Sequence, residues 1–183
     1  MIPIHLDPAQ TRIALIGRDA LTLRRLAWLR DAGAAPDVWS DAPSDELRDA
    51  APKLEHRLPG LGEIARYHAI WIADLTPEES APLAQAARDA HVLVNVEDQI
   101  ALCDFHTPAI VRRGKLTISA GTGGASPAVA RAVREQLEQA FPHSWSDAID
   151  DIAEARAALR RSGVSPDALA ADARQRLGAR GLI

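Results

Sequence analysis

Apolar residues fall into two kinds of run along this chain of 183 residues. Short, nearly unbroken runs at 12–17 (RIALIG), 37–40 (DVWS), 69–73 (AIWIA) and 92–96 (VLVNV) have the length and composition of buried strands. Between the first two, residues 20–32 place apolar side chains at 21, 23, 26, 28 and 29. That is helical spacing, and Gly33 closes it. Residues 76–90 predict another helix, with Thr76 as N-cap, Pro77 at the first helical position and Glu79 three residues after the cap. Strand, glycine turn, helix, glycine, strand is a βαβ unit, which implies a parallel sheet and a right-handed crossover. Residues 53–58 (KLEHRL) alternate like a further strand. The first half is therefore expected to hold about five strands and three helices in a Rossmann-like, doubly wound α/β sheet.

The pattern changes after Asp98. Runs at 105–111 and 115–119, joined by Arg112, Arg113 and Gly114, predict a strand pair. A glycine loop follows (Gly121, Thr122, Gly123, Gly124), and then a helix with Ser126 as N-cap and Pro127 in its first turn, ended by Pro142. Two alanine-rich helices, over 144–163 and from Ser165–Pro166 to about 177, complete the chain.

Composition narrows the function classes. A net charge of −4 argues against a general nucleic-acid binder, which usually presents a basic face. The one cysteine, Cys103, excludes an internal disulfide and fits a reducing compartment. No signal-peptide pattern opens the chain and no apolar run approaches the ~20 residues of a membrane span. A soluble cytoplasmic protein is expected. The histidines are scattered and do not form a zinc-type motif, so no metal site is expected beyond a transient contact at Asp98.

Three places carry candidate chemistry. The turn Gly17–Arg18–Asp19–Ala20 follows the first strand, where a dinucleotide fold needs glycine for a tight turn and for close approach to a pyrophosphate. Only Gly17 is kept. Arg18 could meet a phosphate, whereas Asp19 would repel it or cap the helix. Asn95, Glu97 and Asp98 leave the carboxyl end of a parallel strand, the edge at which open α/β sheets bind ligands. A carboxylate there can act as a base or be a solvated turn residue. The amides of Gly121–Gly124, at a helix start, suit an anion, or are a plain connection.

Val94–Asn95–Val96–Glu97–Asp98, then Pro108–Ala109–Ile110–Val111–Arg112–Arg113, then residues 119–134 together closely resemble one family. It is the precorrin-2 dehydrogenase/sirohydrochlorin ferrochelatase family, the siroheme synthase module. The family pattern NVVD reads NVED here, the F-x-x-P-[SA]-I-[VI]-x-R segment reads FHTPAIVRR, and the glycine loop and helix read GTGGASPAVARAVREQLE. The resemblance is specific over about 50 residues and looser elsewhere, taking in both the lead βαβ unit and the helical tail.

The resemblance implies a homodimer with a Rossmann-like NAD-binding-type domain at 1–111, a strand-pair dimerisation region at 112–142 and a helical subdomain at 143–183. It implies NAD-dependent oxidation of precorrin-2 to sirohydrochlorin, insertion of Fe²⁺ as substrate into that tetrapyrrole, or both. The family's catalytic aspartate falls on Asp98. The substrate-binding set would be Asn95, Thr122, Gly123, Gly124 and Arg113. The cofactor contacts would be Gly17, Arg18, Asp19, Ala20, Asp41 and Asp74. Two departures stand out. The family's triple glycine reads Gly17–Arg18–Asp19, and its A-T-D-[DN] segment reads Ala73–Asp74–Leu75–Thr76. Both lie on the dinucleotide side. They raise the alternatives of a chelatase-only homologue using Fe²⁺ or Co²⁺ and of a non-catalytic tetrapyrrole or nucleotide sensor. They disfavour a generic Rossmann-type dehydrogenase, which would explain the half where the motif is poor and ignore the half where the match is good.

Overall fold

The computed structural model describes residues 1–183, which divide into two compact units, Met1–Thr107 and Pro108–Ile183.

The first unit is built on four parallel strands, β1 (Ile13–Ile16), β2 (Asp37–Trp39), β3 (Ala69–Ile72) and β4 (Leu93–Val96), in the order β2-β1-β3-β4. Side chains alternate across this sheet. Ala14, Ile16, Ile70 and Ile72 pack on one face with Ile64, Leu83 and Ala87. Ile13, Leu15, Ala69 and Trp71 pack on the other with Leu26, Leu29 and Leu47. Both faces are dry because helices cover both: α1 (Ala20–Asp31) and α2 (Asp45–Ala50) on one, α3 (Leu61–Ile64) and α4 (Pro77–Asp89) on the other. This is the expected doubly wound sheet, and it explains why the strands read as continuous apolar runs. The α4 cap forms as its sequence predicts. Thr76 Oγ1 accepts from the Glu79 amide at 3.3 Å, and Glu79 Oε2 accepts from the Thr76 amide at 2.9 Å.

Residues 53–58 do not form the expected strand. Glu55 alone bridges to Trp39, through Ser40 N–H to Glu55 O at 2.9 Å and Glu55 N–H to Val38 O at 2.8 Å. The chain then turns away, with the Arg57 amide donating to Glu55 O and the Arg57 guanidinium lying 4.8 Å from the Trp39 ring centroid. Alternation set the pattern there, but the ladder is cut after one residue and the stretch belongs to loops around α2 and α3.

After β4 and a short 3-10 turn (Ile100–Leu102), Phe105 and Thr107 stay with the first unit. The Phe105 ring packs edge-on to Trp71 at 4.9 Å, Thr107 Oγ1 accepts from Trp71 Nε1 at 3.3 Å, and Asn95 Nδ2 donates to Phe105 O at 2.8 Å. These contacts tie the segment to the first unit. The first strand of the pair therefore starts at Ala109, not 105, and the boundary between the two compact units precedes Pro108.

The second unit holds the antiparallel pair β5 (Ala109–Arg113) and β6 (Leu116–Ala120), then α5 (Pro127–Ala140), α6 (Ser144–Arg161) and α7 (Pro166–Ala179). The expected dimerisation region and helical subdomain are parts of this one unit. Gly114 closes the hairpin at φ +57, and a Cβ there would stand 2.4 Å from Ser146 Oγ, so both backbone and packing demand glycine. The fully or nearly fully buried residues of this unit are few: Val111, Arg113, Ala148 and Leu169. No helix of the chain is long and apolar enough to cross a membrane.

Candidate functional site

In the order β2-β1-β3-β4 the crossovers change direction between β1 and β3, and ligands of open α/β sheets bind beyond the strand ends at such a point. Gly17 leaves β1 there and Asp74 follows β3. The two turns are in close contact: a Cβ on Gly17 would lie 2.1 Å from Thr22 Oγ1 and 2.3 Å from Ala73 O. Gly17 is thus required by packing between the turn, α1 and the end of β3.

Asp19 occupies the N-cap position of α1, but its side chain makes no capping bond. The cap comes from across the turn. Asp74 has a left-handed backbone, φ +55, and its Oδ2 accepts from the Asp19 amide at 3.0 Å, the Thr22 amide at 2.8 Å and Thr22 Oγ1 at 2.8 Å. The helix cap expected of Asp19 is supplied instead by Asp74. Ala20 opens the helix beside these bonds.

Arg18 is held in a second cluster. Its Nε and Nη2 donate to the two carboxylate oxygens of Asp41 at 2.8 and 2.9 Å, and its Nη1 and Nη2 donate to Glu79 at 3.0 and 2.5 Å. The guanidinium in turn holds the Asp41 and Glu79 carboxyls below the ordinary carboxylate range, with the Thr76 amide adding to the effect on Glu79. Arg18, Asp19, Ala42, Pro43, Ser44 and Asp74 line a cleft of about 500 Å³. Five of the six expected cofactor residues (Arg18, Asp19, Ala20, Asp41 and Asp74) meet around this strand end, with Gly17 beneath them.

At the end of β4, Glu97 and Asp98 separate. Glu97 turns inward to a close ion pair with Arg25 of α1, whose guanidinium also lies 4.9 Å from the Trp28 ring centroid. Asp98 turns outward. It sits in a tight turn closed by the Gln99 amide on Val96 O at 3.2 Å, its φ is +61, and its exposed carboxylate makes no hydrogen bond or ion pair. A non-glycine residue in this region of backbone space costs on the order of 1–3 kcal/mol, less for Asp, and such strain gathers at functional positions. Among non-glycine residues only Asp74, His91 and Asp98 have positive φ, so two of the three stand at the ligand end of the sheet.

The remaining expected residues take supporting places. Asn95 is buried, and its amide donates to Phe105 O and toward Cys103 Sγ. The Cys103 thiol is itself pushed up in pKa by burial. Arg113 is buried in the second unit, where its guanidinium donates to Phe141 O at 2.6 Å, Arg112 O at 2.8 Å and Glu138 O at 3.2 Å. It caps the carboxyl end of α5, and the side-chain donors of both Asn95 and Arg113 are engaged in internal bonds. Thr122 Oγ1 accepts from the Ser126 amide at 3.3 Å and donates to Ser126 O at 3.2 Å, and Gly123 and Gly124 adopt φ +65 and +83. That loop needs its glycines for conformation, and Ser126 caps α5 through the Val129 amide. No group of three or more His, Cys, Asp or Glu side chains is placed to hold a metal ion. Sequence reasoning missed Glu79 and Arg25. The capping box marked Glu79 only as a cap, and nothing in the spacing linked Arg25 to Glu97.

A parallel sheet with its switch point between β1 and β3 and a glycine turn feeding α1 defines a Rossmann-type dinucleotide-binding domain. The chain belongs to the NAD_binding_7 family, described as "Putative NAD(P)-binding", whose model matches residues 4–109. It is 31% identical over 171 residues to siroheme synthase of Methylococcus capsulatus, an alignment covering 91% of this chain and 36% of that protein. It is also 31% identical over 170 residues to siroheme synthase of Pseudomonas fluorescens, covering 91% and 36%. The chain thus spans about a third of the length of these curated relatives. Among solved structures, SirC, a precorrin-2 dehydrogenase, matches with a TM-score of 0.70 at 21% identity, covering 96% of this chain and 88% of that one. This last likeness establishes the shared fold.

Proposed function

We propose that this protein acts on a tetrapyrrole of siroheme biosynthesis, in the cytoplasm, with Asp98 as the base. The carrying observation is the Asp98 carboxylate itself, unpaired and exposed on a left-handed backbone at the ligand end of β4. The names of the relatives support the substrate class: siroheme synthases in sequence, and a precorrin-2 dehydrogenase in fold.

The chemistry suits a single free carboxylate. Insertion of Fe²⁺ into sirohydrochlorin forms iron–nitrogen bonds as the two pyrrole N–H protons leave, and the products are siroheme and two protons. Asp98 would take each proton in turn and release it to water, for which an exposed carboxylate with no competing partner is suited. Fe²⁺ is a substrate in this scheme, meeting the chain through no more than a transient contact at Asp98. Within the second unit, the amides of Gly123 and Gly124 ahead of α5 suit an anionic group, with Thr122 fixing the loop. Asn95 and Arg113 would act by holding their segments in place.

Oxidation of precorrin-2 requires a dinucleotide to accept the hydride. The fold fits one, but the residues as arranged do not: the Asp74 carboxylate already takes the amides at the start of α1 to which a pyrophosphate would bind. This observation favours a second reading in which the chain's own contribution is metal insertion, with Fe²⁺ or Co²⁺.

The assembly we propose is a homodimer joined through the second unit. Not one residue of α5 is buried, Val129 and Val133 are 52% and 36% exposed, and the two-stranded sheet leaves both outer edges unpaired. The unpaired edges of such a strand pair can take a further strand, and a second copy would supply one.

Anaerobic incubation with sirohydrochlorin and Fe²⁺, and separately with precorrin-2 with and without NAD⁺, tests the proposal through the absorption spectra. Multiple turnovers of either substrate are expected. Binding of the tetrapyrrole with no turnover of either would contradict it.

A further inference from the structure

The dinucleotide half of this site holds an arrangement that family membership does not account for. In a dinucleotide fold the first turn of the first helix binds a pyrophosphate because its amides are free and the helix dipole favours an anion. Here an anion is already present, and it belongs to the chain. Asp74 Oδ2 collects the Asp19 amide, the Thr22 amide and the Thr22 hydroxyl, all within 3.0 Å. These are bonds that a phosphate oxygen would make.

Three further features bear on it. Asp74 reaches this position only through a left-handed backbone, φ +55, a conformation that the surrounding structure has to impose. The turn and the end of β3 are packed so closely at Gly17 that no side chain fits between them, which keeps Asp74 beside the helix start. Finally, Arg18, the cation nearest the expected phosphate, is engaged by Asp41 and Glu79. Arg18 is thus set against Asp19 and Asp74 in the cleft and against its own partners Asp41 and Glu79, an acidic balance that opposes a pyrophosphate.

We propose that Asp74 sets the dinucleotide affinity of this protein by acting as an internal competitor for the pyrophosphate position at the start of α1. A dinucleotide binds only when the Asp74 carboxylate leaves the α1 amides, so the chain binds NAD(H) weakly, and removing that charge opens the site. This concerns the cofactor side of the proposed function alone. Its test contains no tetrapyrrole, so its failure and the failure of the Asp98 assignment are told apart.

The test is a titration of the purified full chain with NADH, followed by nucleotide fluorescence, for the parent protein, Asp74→Asn and Asp74→Gly. The asparagine keeps an acceptor oxygen for the helix amides while removing the charge. The glycine suits the left-handed backbone and empties the position, so a folded variant is secured by two independent routes. Circular dichroism verifies folding. Both variants are expected to bind NADH at least about tenfold more tightly than the parent, since a like charge at hydrogen-bond distance is removed, and inorganic pyrophosphate is expected to displace the NADH. Equal affinity in the parent and a folded variant, or weaker binding in the variants, would overturn the proposal.

Discussion

Asp98 and Asp74 are both aspartates on left-handed backbone at strand ends, and their surroundings give them opposite tasks. Asp98 has no partner and faces solvent, whereas Asp74 is bonded to the start of α1. Glycine adopts positive φ without penalty, so Asp98→Gly is expected to leave thermal stability unchanged or slightly raised while abolishing tetrapyrrole turnover. A melting curve and an activity assay on one preparation check this, and a large loss of stability would give Asp98 a structural role instead. Gly17 behaves in the opposite way. Its φ is ordinary, but a Cβ would collide with Thr22 Oγ1 and Ala73 O, so Gly17→Ala is expected to cost about 1–3 kcal/mol in a denaturant titration.

Single elements are joined here by ion clusters whose pH dependence can be worked out. Arg18 ties the β1–α1 turn to Asp41 after β2 and to the α4 cap at Glu79. Both carboxyls are held below their ordinary values, so the stability they contribute is present above the ordinary carboxylate pKa of about 4 and is lost as pH falls through the lowered values. Thermal melts from neutral to acidic pH should show a shallower acid decline in Asp41→Asn/Glu79→Gln than in the parent. Tyr67 works at the other end of the scale. Burial, and a hydrogen bond donated to Asp37 at 3.0 Å, push its pKa up to about 12. Its contribution is complete below pH ~10 and declines as pH rises toward the folded value. Because it is the only tyrosine, absorbance titration of the native chain reads it directly, and the phenolate should appear well above pH 10.

These same elements show what the sequence made legible. β1 to β4 were readable because strands buried on both faces need unbroken apolar runs, and the caps of α4 and α5 because their bonds are local. Residues 53–58 misled because alternation does not reveal whether a partner edge continues. The start of β5 misled because Phe105 and Thr107 are held by Trp71 and Asn95, contacts that no local pattern encodes. At the site, the positions were legible and the bonds were not. Asp74 is legible as a cofactor contact only through the resemblance of residues 73–76 to the family's A-T-D-[DN] segment, and its bond to the α1 amides depends on the backbone at a turn distant in sequence.

At the scale of the whole molecule, the two units differ in how complete they are. The first has a sheet covered on both faces, and the second leaves Val129 and Val133 of α5 exposed and the outer edges of its strand pair unpaired. Val133→Glu on α5 should therefore lower the sedimentation-derived mass from a dimer to a monomer while leaving the circular dichroism of the chain largely intact. A parent protein that sediments as a monomer at micromolar concentration would remove the dimer from the account.

Asp98 as the base is the central assignment for tetrapyrrole chemistry in this protein. The direct measurement is the anaerobic rate of Fe²⁺ insertion into sirohydrochlorin by the parent protein and by Asp98→Asn, at matched fold and tetrapyrrole occupancy. Loss of a positioned base predicts a fall of about 100-fold or more in rate with binding retained, and equal rates in the two proteins would contradict the assignment.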